Sequence, residues 1–287
     1  MRPFAIRHLR KFFSLFGIGL TSYTHLETLE KSFRDLGLES RRLHAIVQGI
    51  EAITFYLSQG LIFTNLEIIQ SLKLAINSKS QLNQELFVQI ALGWKTSGYF
   101  VEFGATDGIE GSNTKCLEED FDWDGILAEP AEIWYPDLYK NRKAKIAKNC
   151  VWKKSGEILD FIEADVTSTL ASIGEGNSAL SQKRVIKVES ITLNDLLEKN
   201  SAPHTIDYLS IDTEGSEYEI LEKFDFKKYK IKVITVEHNF NRSRELVLDL
   251  LVKNGFKRVL INLSQFEDWY INESIEIAKF NRFIRLG

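Results

Sequence analysis

Proline is scarce in this chain, with four in 287 residues. Long disordered or polyproline linkers are therefore not expected. Cysteine is scarcer still: Cys116 and Cys150 are the two present. They lack CxxC spacing and a neighbouring histidine pair, so no zinc site is legible. They read as small apolar side chains in a reducing, cytoplasmic setting. The apolar stretch near the start, Phe12 to Leu20, has nine residues, too few to span a bilayer, which needs about 20. Excess positive charge is also missing. A net charge of −4 and a pI near 5.9 argue against an electrostatic nucleic-acid binder. No internal repeat and no low-complexity segment occurs. The Gly-x-Gly-x-x-Gly dinucleotide fingerprint is absent, which disfavours a nucleotide-dependent oxidoreductase.

What is present is an ordinary globular composition, 44% hydrophobic and 26% charged. The length suits one large domain with an extension. Arg2, Arg7, Arg10 and Lys11 precede the first acid, Glu27. At helical spacing, Ile6, Leu9, Phe12, Phe13 and Phe16 share one face. The basic residues and Ser14 take the other. This predicts a basic amphipathic helix that either lies on an anionic membrane or packs on its own domain or a partner chain. Helical periodicity continues over 26–57 and 61–76. Ser80 is placed to cap a helix through Gln84–Ala91. Residues 1–80 thus read as a helical extension, for oligomerisation as a homodimer or for peripheral membrane contact through 1–20. Residues 81–287 read as an α/β domain.

The most informative stretch is Tyr99 to Thr114, YFVEFGATDGIEGSNT. A buried strand, a glycine turn and a helix restart fit its order. The pattern Glu102-x-Gly104-x-x-x-Gly108 has one glycine for close backbone approach and an acid nearby. That suits a cationic ligand without phosphate, and S-adenosylmethionine (SAM) is one. GILAEP follows, with Glu129 closing a second strand 21 residues beyond Gly108. An acid there is placed to accept both ribose hydroxyls. The candidate cofactor contacts are Glu102, Gly104, Ala105, Asp107, Gly108, Ser112, Asn113, Glu129 and Pro130.

A third strand is expected over Lys145–Val151, and two more over Glu157–Ile162 and Val185–Val188. The loop between those two, Ser168 to Ser181, is long enough for a lid. A second informative stretch is IDYLSIDTEGSE, Ile206 to Glu217. Asp212, Glu214 and Glu217 crowd a strand end around one glycine. They bind a cation, a polar substrate or backbone amides, or one of them caps the next helix. The following strand ends in Glu237-His238-Asn239. Both clusters should meet at one edge of the sheet, facing the glycine turn. Lys257–Asn262 and Phe280–Ile284 read as the last strands, with Trp269-Tyr270-Ile271 between them.

Together, YFVEFGATDGIEGSNT, Leu117-Glu118, Trp123, GILAEP, IDYLSIDTEGSEYEIL and ITVEHN resemble the FkbM-type SAM-dependent methyltransferases. The resemblance covers roughly Gln81 to Phe283. It implies a class I methyltransferase fold of the Rossmann-like kind: a seven-stranded sheet, helices on both faces, and the last strand antiparallel. It also implies O-methylation of a sugar or glycan-type acceptor, with SAM held at positions matching Glu102, Gly104 and Glu129. Glu102 stands where Asp is common.

Methylating a hydroxyl requires its proton to leave as attack proceeds, so a base or an acidifying metal is needed. His238, Asp212 and Glu214 are the candidate catalytic residues. Asp212 with Glu237 or Asn239 offers oxygens for Mg²⁺ instead, a set similar in placement to the metal site of catechol-type O-methyltransferases. The rival function is a non-catalytic, membrane-associated adaptor on the same fold.

Overall fold

The computed structural model describes residues 49–50, 64–164, 167–174 and 183–273. The basic helix expected over 1–20, the periodic segment over 26–57 except 49–50, and the strand expected over 280–284 lie outside the described residues.

Helix α1, Asn65–Asn77, opens on a capping box: Thr64 Oγ1 accepts from Glu67 N at 3.2 Å while Thr64 N donates to the Glu67 carboxylate at 2.7 Å. Helix α2, Gln84–Ala91, is buried at every position. Its N-cap is Asn83 in the left-handed region, without a side-chain cap. Ser80, expected as the cap, instead donates to the buried Glu85 carboxylate at 2.7 Å. A short helix buried all round has few exposed positions from which to bond water, so its polar side chains must find partners inside. Gln84 donates to Glu267 at 2.6 Å and Gln89 to Lys95 O at 3.1 Å.

The α/β part then runs β1 Tyr99–Phe103, α3 Lys115–Phe121, β2 Asp124–Ala128, a 3₁₀ turn Glu132–Trp134, α4 Tyr135–Asn141, β3 Lys145–Ala147 and β4 Cys150–Val151. It continues with β5 Ile158–Glu163, β6 Thr169–Leu170, α5 Ala171–Gly174, β7 Arg184–Ile191, α6 Leu193–Lys199, β8 Thr205–Ile211 and α7 Glu217–Glu222. It closes with β9 Lys230–Glu237, α8 Arg244–Lys253, β10 Phe256–Val259, α9 Ile261–Ser264 and β11 Glu267–Asn272. Seven strands form the main sheet in the order β3-β2-β1-β8-β9-β11-β10. Neighbours from β3 to β9 pair in parallel, and β11 runs antiparallel to both β9 and β10.

Two expectations are corrected here, over 145–151 and over 269–271, while the strands expected near 157–162 and 185–188 are present. The stretch 145–151 is not one strand: it breaks after Ala147, and β4 leaves for a second, four-stranded sheet in the order β4-β7-β5-β6. The strands expected near 157–162 and 185–188 belong to that second sheet, as an antiparallel pair. The apolar run Trp269-Tyr270-Ile271, expected between strands, is the centre of β11. It is buried on both faces, so it shows no alternation to mark it as a strand. Of the loop expected over Ser168–Ser181, the described part holds β6 and α5.

Strand alternation sends residues to two separate cores. Phe100, Tyr208, Val233 and Trp269 face α2, α3 and α4, in a cluster that also takes in Ile50, Ile68 and Leu74. Val101, Leu209, Ile234 and Tyr270 face α6, α7 and α8. Phe87 of α2 stacks on Trp269 with ring centroids 4.7 Å apart. Phe87→Ala should therefore destabilise the chain by about 3–5 kcal/mol. A denaturant midpoint unchanged from wild type would show that α2 is not integral to the sheet's core.

Candidate active site at the carboxyl ends of the strands

Past β1 the backbone must turn sharply. Gly104 takes a φ of +72°, and a Cβ there would stand 2.3 Å from the Asp212 carbonyl oxygen. Only glycine satisfies both demands. Asp107 Oδ1 accepts from Ile109 N at 2.8 Å and Glu110 N at 3.0 Å, making an Asx turn. Asp107 thus shapes the loop, where a ligand contact was expected of it. Gly108, φ +78°, leaves room for the Arg142 stem, 2.5 Å from where its Cβ would be.

Glu102 is also taken up internally. Its carboxylate accepts from Asn113 N at 2.6 Å, Ser112 Oγ at 3.1 Å and the Thr114 hydroxyl. Arg142, buried, bonds Ser112 Oγ at 2.9 Å, Thr114 Oγ1 at 2.8 Å, Glu118 at 3.0 Å and the Gly108 carbonyl at 3.3 Å, with Glu102 at 3.5 Å. Glu102 and Ser112 thus brace the turn. Sequence reasoning missed Arg142, which falls between the helix and the strand expected there. The cue was the position of Arg142 just past α4, with Glu118 of α3 as an acid partner.

Two polar groups still face an open role, Glu129 and Asn113. Glu129, 3% exposed, accepts from Thr106 N at 2.9 Å and Ala131 N at 2.8 Å. A carboxylate has about four acceptor sites, so it keeps capacity for a diol. Burial pushes its pKa up to about 7. Asn113 donates to Ser210 Oγ at 2.9 Å, but its buried Oδ1 has no partner. Ala105 is buried and Pro130 half-buried beside them. A desolvated carboxylate with spare acceptors and an orphaned amide oxygen at the glycine turn fit SAM.

Across from the turn, Asp212, Glu214 and Glu237 bring carboxylate oxygens within 4.8 Å of one another. Asp212 follows β8 and Glu237 ends β9, on one face of the sheet. Burial, then the Glu237 and Glu214 charges, hold Asp212 well above the usual carboxylate range. Burial and Glu237 raise Glu214 to about 7. Glu217 folds back on its own turn, accepting from Gly215 N at 2.8 Å and Thr213 Oγ1 at 3.1 Å.

His238 lines the same cavity as Glu214, Glu217 and Glu237, although strand alternation sets its ring apart from the Glu237 carboxylate. Its Nδ1 accepts from Phe240 N at 3.0 Å, which leaves the proton on Nε2, 3.9 Å from Asp268 Oδ1. Burial lowers its pKa. It anchors the loop through Phe240 N, and its buried Nε2 has no hydrogen-bond partner. Asn239 turns its NH₂ to Glu237 at 2.8 Å and Glu214 at 3.4 Å, so the oxygen-ligand set of Asp212, Glu237 and Asn239 is not formed; Glu214 supplies the third oxygen. Glu267, also missed, lies opposite Glu237, accepts from Gln84 and Trp269 Nε1, and is raised to about 7 by burial.

A sheet ordered β3-β2-β1-β8-β9-β11-β10 with β11 reversed, carrying a glycine turn and a strand-end acid at β1 and β2, defines a class I methyltransferase. More particularly, residues 102–269 match the Methyltransferase FkbM domain, over half of the chain, and the chain belongs to that family of SAM-dependent methyltransferases. Among solved structures, it is similar to methyltransferase FkbM from Methylobacillus flagellatus KT, at 13% identity and TM-score 0.38, over 84% of this chain and 65% of that one. It is also similar to precorrin-6y C5,15-methyltransferase from Geobacter metallireducens GS-15, at 11% identity and TM-score 0.35, over 68% of this chain and 91% of that one. No curated protein matches.

Gly104→Ala is expected to abolish cofactor binding or folding, since Cβ and the Asp212 carbonyl cannot share that space; a variant that binds SAM normally would contradict this geometry. The buried acids also set a pH dependence. Glu129 and Glu267, raised to about 7 from 4.5, bind protons more tightly folded than unfolded. Stability of the ligand-free chain therefore falls as pH rises from about 4.5 through about 7. Asp212, Glu214, Glu217 and Glu85 shift in the same direction and outnumber His238, which acts against them. Calorimetry should give a higher Tm near pH 5.5 than near pH 8, and the reverse order would count against these burials.

Proposed function

We propose that this chain transfers the methyl group of SAM to a hydroxyl of a sugar or glycan-type acceptor. The observation that carries the reading is the meeting of two half-sites. The backbone at Gly104, on the cofactor side, touches that of Asp212, at the head of the acid cluster. When bound, SAM supplies an electrophilic methyl carbon on sulfur. Glu129 would accept the ribose hydroxyls, Asn113 Oδ1 would take a donor, and Glu102 with Arg142 would hold the turn still.

Asp212 or Glu214 would take the acceptor's proton. Glu214, raised to about 7, lies near neutral pH, where a general base is most effective, and burial shifts Asp212 in the same direction. The second reading, favoured by the mutual approach of Asp212, Glu214 and Glu237, is that these oxygens hold Mg²⁺ and acidify the hydroxyl through it. The adaptor reading differs from both in requiring no methyl transfer. No helix among the described residues is long and apolar enough to cross a membrane. Membrane or dimer contact through the first 20 residues would be an addition to the enzyme rather than a substitute for it.

Isothermal titration with SAM is expected to show binding that Glu129→Ala weakens about tenfold or more, the loss of charge-assisted hydrogen bonds worth about 1.5–3 kcal/mol each. Absence of binding to wild type would sink the proposal. With an acceptor in hand, Asp212→Asn should lower kcat by about 10²–10⁴ while leaving SAM affinity nearly unchanged. Turnover that survives chelation identifies the carboxylates as base, and turnover that requires Mg²⁺ identifies them as ligands.

A further inference from the structure

The acid cluster opens on a cavity of about 300 Å³, lined among others by Glu214, Glu217, Glu237, Asn239 and Ser243. Its charge is one-sided. Asp212, Glu214, Glu217, Glu237 and Glu267 gather at this end of the sheet, and among the described residues none of the five is ion-paired with Lys or Arg. The nearby Arg244 is committed elsewhere, with two bonds of 2.8 Å to Asp268. Such crowding disfavours ionisation unless a cation enters.

A second observation points to what enters. Glu217 is 2% exposed and lines the cavity, and its Oε2 has no hydrogen-bond partner although Oε1 has three. A buried acceptor left open in a cavity wall calls for a donor from the occupant. The rest of the wall carries no further carboxylate and is polar through His238, whose pKa burial lowers, Asn239, Asn241 and Ser243. Beside it stands Phe240, 73% exposed, held at φ +57° next to Asn239 at φ +41°. Its ring packs edge-on against His238 at 5.1 Å. An exposed aromatic on a loop in the left-handed region, beside carboxylates, suits an ammonium group. Asn239 already offers its NH₂ to Glu237 and Glu214, placing a donor, not an oxygen, where a metal would need a ligand.

We infer that the acceptor carries a protonated amine, bound by this carboxylate cavity, beside the hydroxyl that is methylated. The inference rests on the methyltransferase reading and names the acceptor class for it. The amine is a recognition handle and takes no part in the transfer.

The test is calorimetry on the full chain near pH 7.5, first with S-adenosylhomocysteine. A matched pair follows, methyl glucosaminide and its neutral counterpart methyl glucoside, each titrated with and without that product. No heat from S-adenosylhomocysteine would sink the methyltransferase reading by itself, while the pair still reports on the cavity. The expected result is at least tenfold tighter binding of the amine. That preference should shrink to less than twofold in Glu237→Gln, with product affinity retained. Should Glu237→Gln fail to fold, the half-buried Glu214→Gln decides, with an expected loss of at least threefold in amine binding. Equal or tighter binding of the neutral glycoside, or binding of neither, would overturn the inference. So would Mg²⁺ binding that abolishes the preference, which would make this a metal site. Competition between amine and S-adenosylhomocysteine would overturn it too, by showing that the acids serve the cofactor.

Discussion

Everything at the cofactor end depends on one buried arrangement, Arg142 with Glu102 and the loop between Gly108 and Thr114. Arg142 is 5% exposed and Glu102 3%. Exposed ion pairs are worth about 0–1 kcal/mol, but removing one member of a buried pair costs about 3–5 kcal/mol by stranding the other charge. Here the two groups satisfy one another less directly, at 3.5 Å, than through shared hydroxyls, those of Ser112 and Thr114. The guanidinium also sits 5.5 Å over the Phe100 ring, tying the loop to the core beneath it. A turn held by that many directional bonds is preorganised, so little ordering remains to be done when a ligand arrives.

The opposite end of the site works by crowding. Parallel strands deliver acids to one edge, and strand alternation decides which of them meet. Glu237 and Glu267 are register partners and face the same side as Asp212. His238, a single residue further on, turns its Nε2 toward Asp268. The consequence is a crowd of acids, of which burial raises Asp212, Glu214 and Glu267, with His238 in the wall of the same cavity. The covering helix α2 is part of this edge, since Gln84 reaches Glu267. The helical segment before the sheet therefore contributes a polar contact to the site as well as apolar cover from Leu86 and Phe87.

Much of the fold was legible because its signals are local. The turn at Gly104, the acid at Glu129 and the strands ending in Asp212 and Glu237 were marked by residue type and spacing, and the structure has them where expected. Less legible was anything set by burial on both faces or by partners far along the chain. β11 lacks alternation because both its faces are covered. Ser80 looks like a cap because its real partner, Glu85, was equally plausible as a solvated acid. The small second sheet could not be told from the main one, since a β-rich segment carries no mark of which sheet it joins.

By itself, then, the sequence determined the class: an α/β sheet with a glycine turn, an acid at the end of the second strand and an acidic strand edge, because glycine conformations and strand-end acids are local chemistry. Tertiary structure alone decided the roles. It made Glu102 and Asp107 builders of the loop, put Arg142 inside, tied His238 to the Phe240 loop, and set Glu267 opposite Glu237. The reason is that a side chain's role depends on which partners reach it first. Partners as distant in sequence as Gln84 and Glu267 meet only once the sheet has closed beneath them.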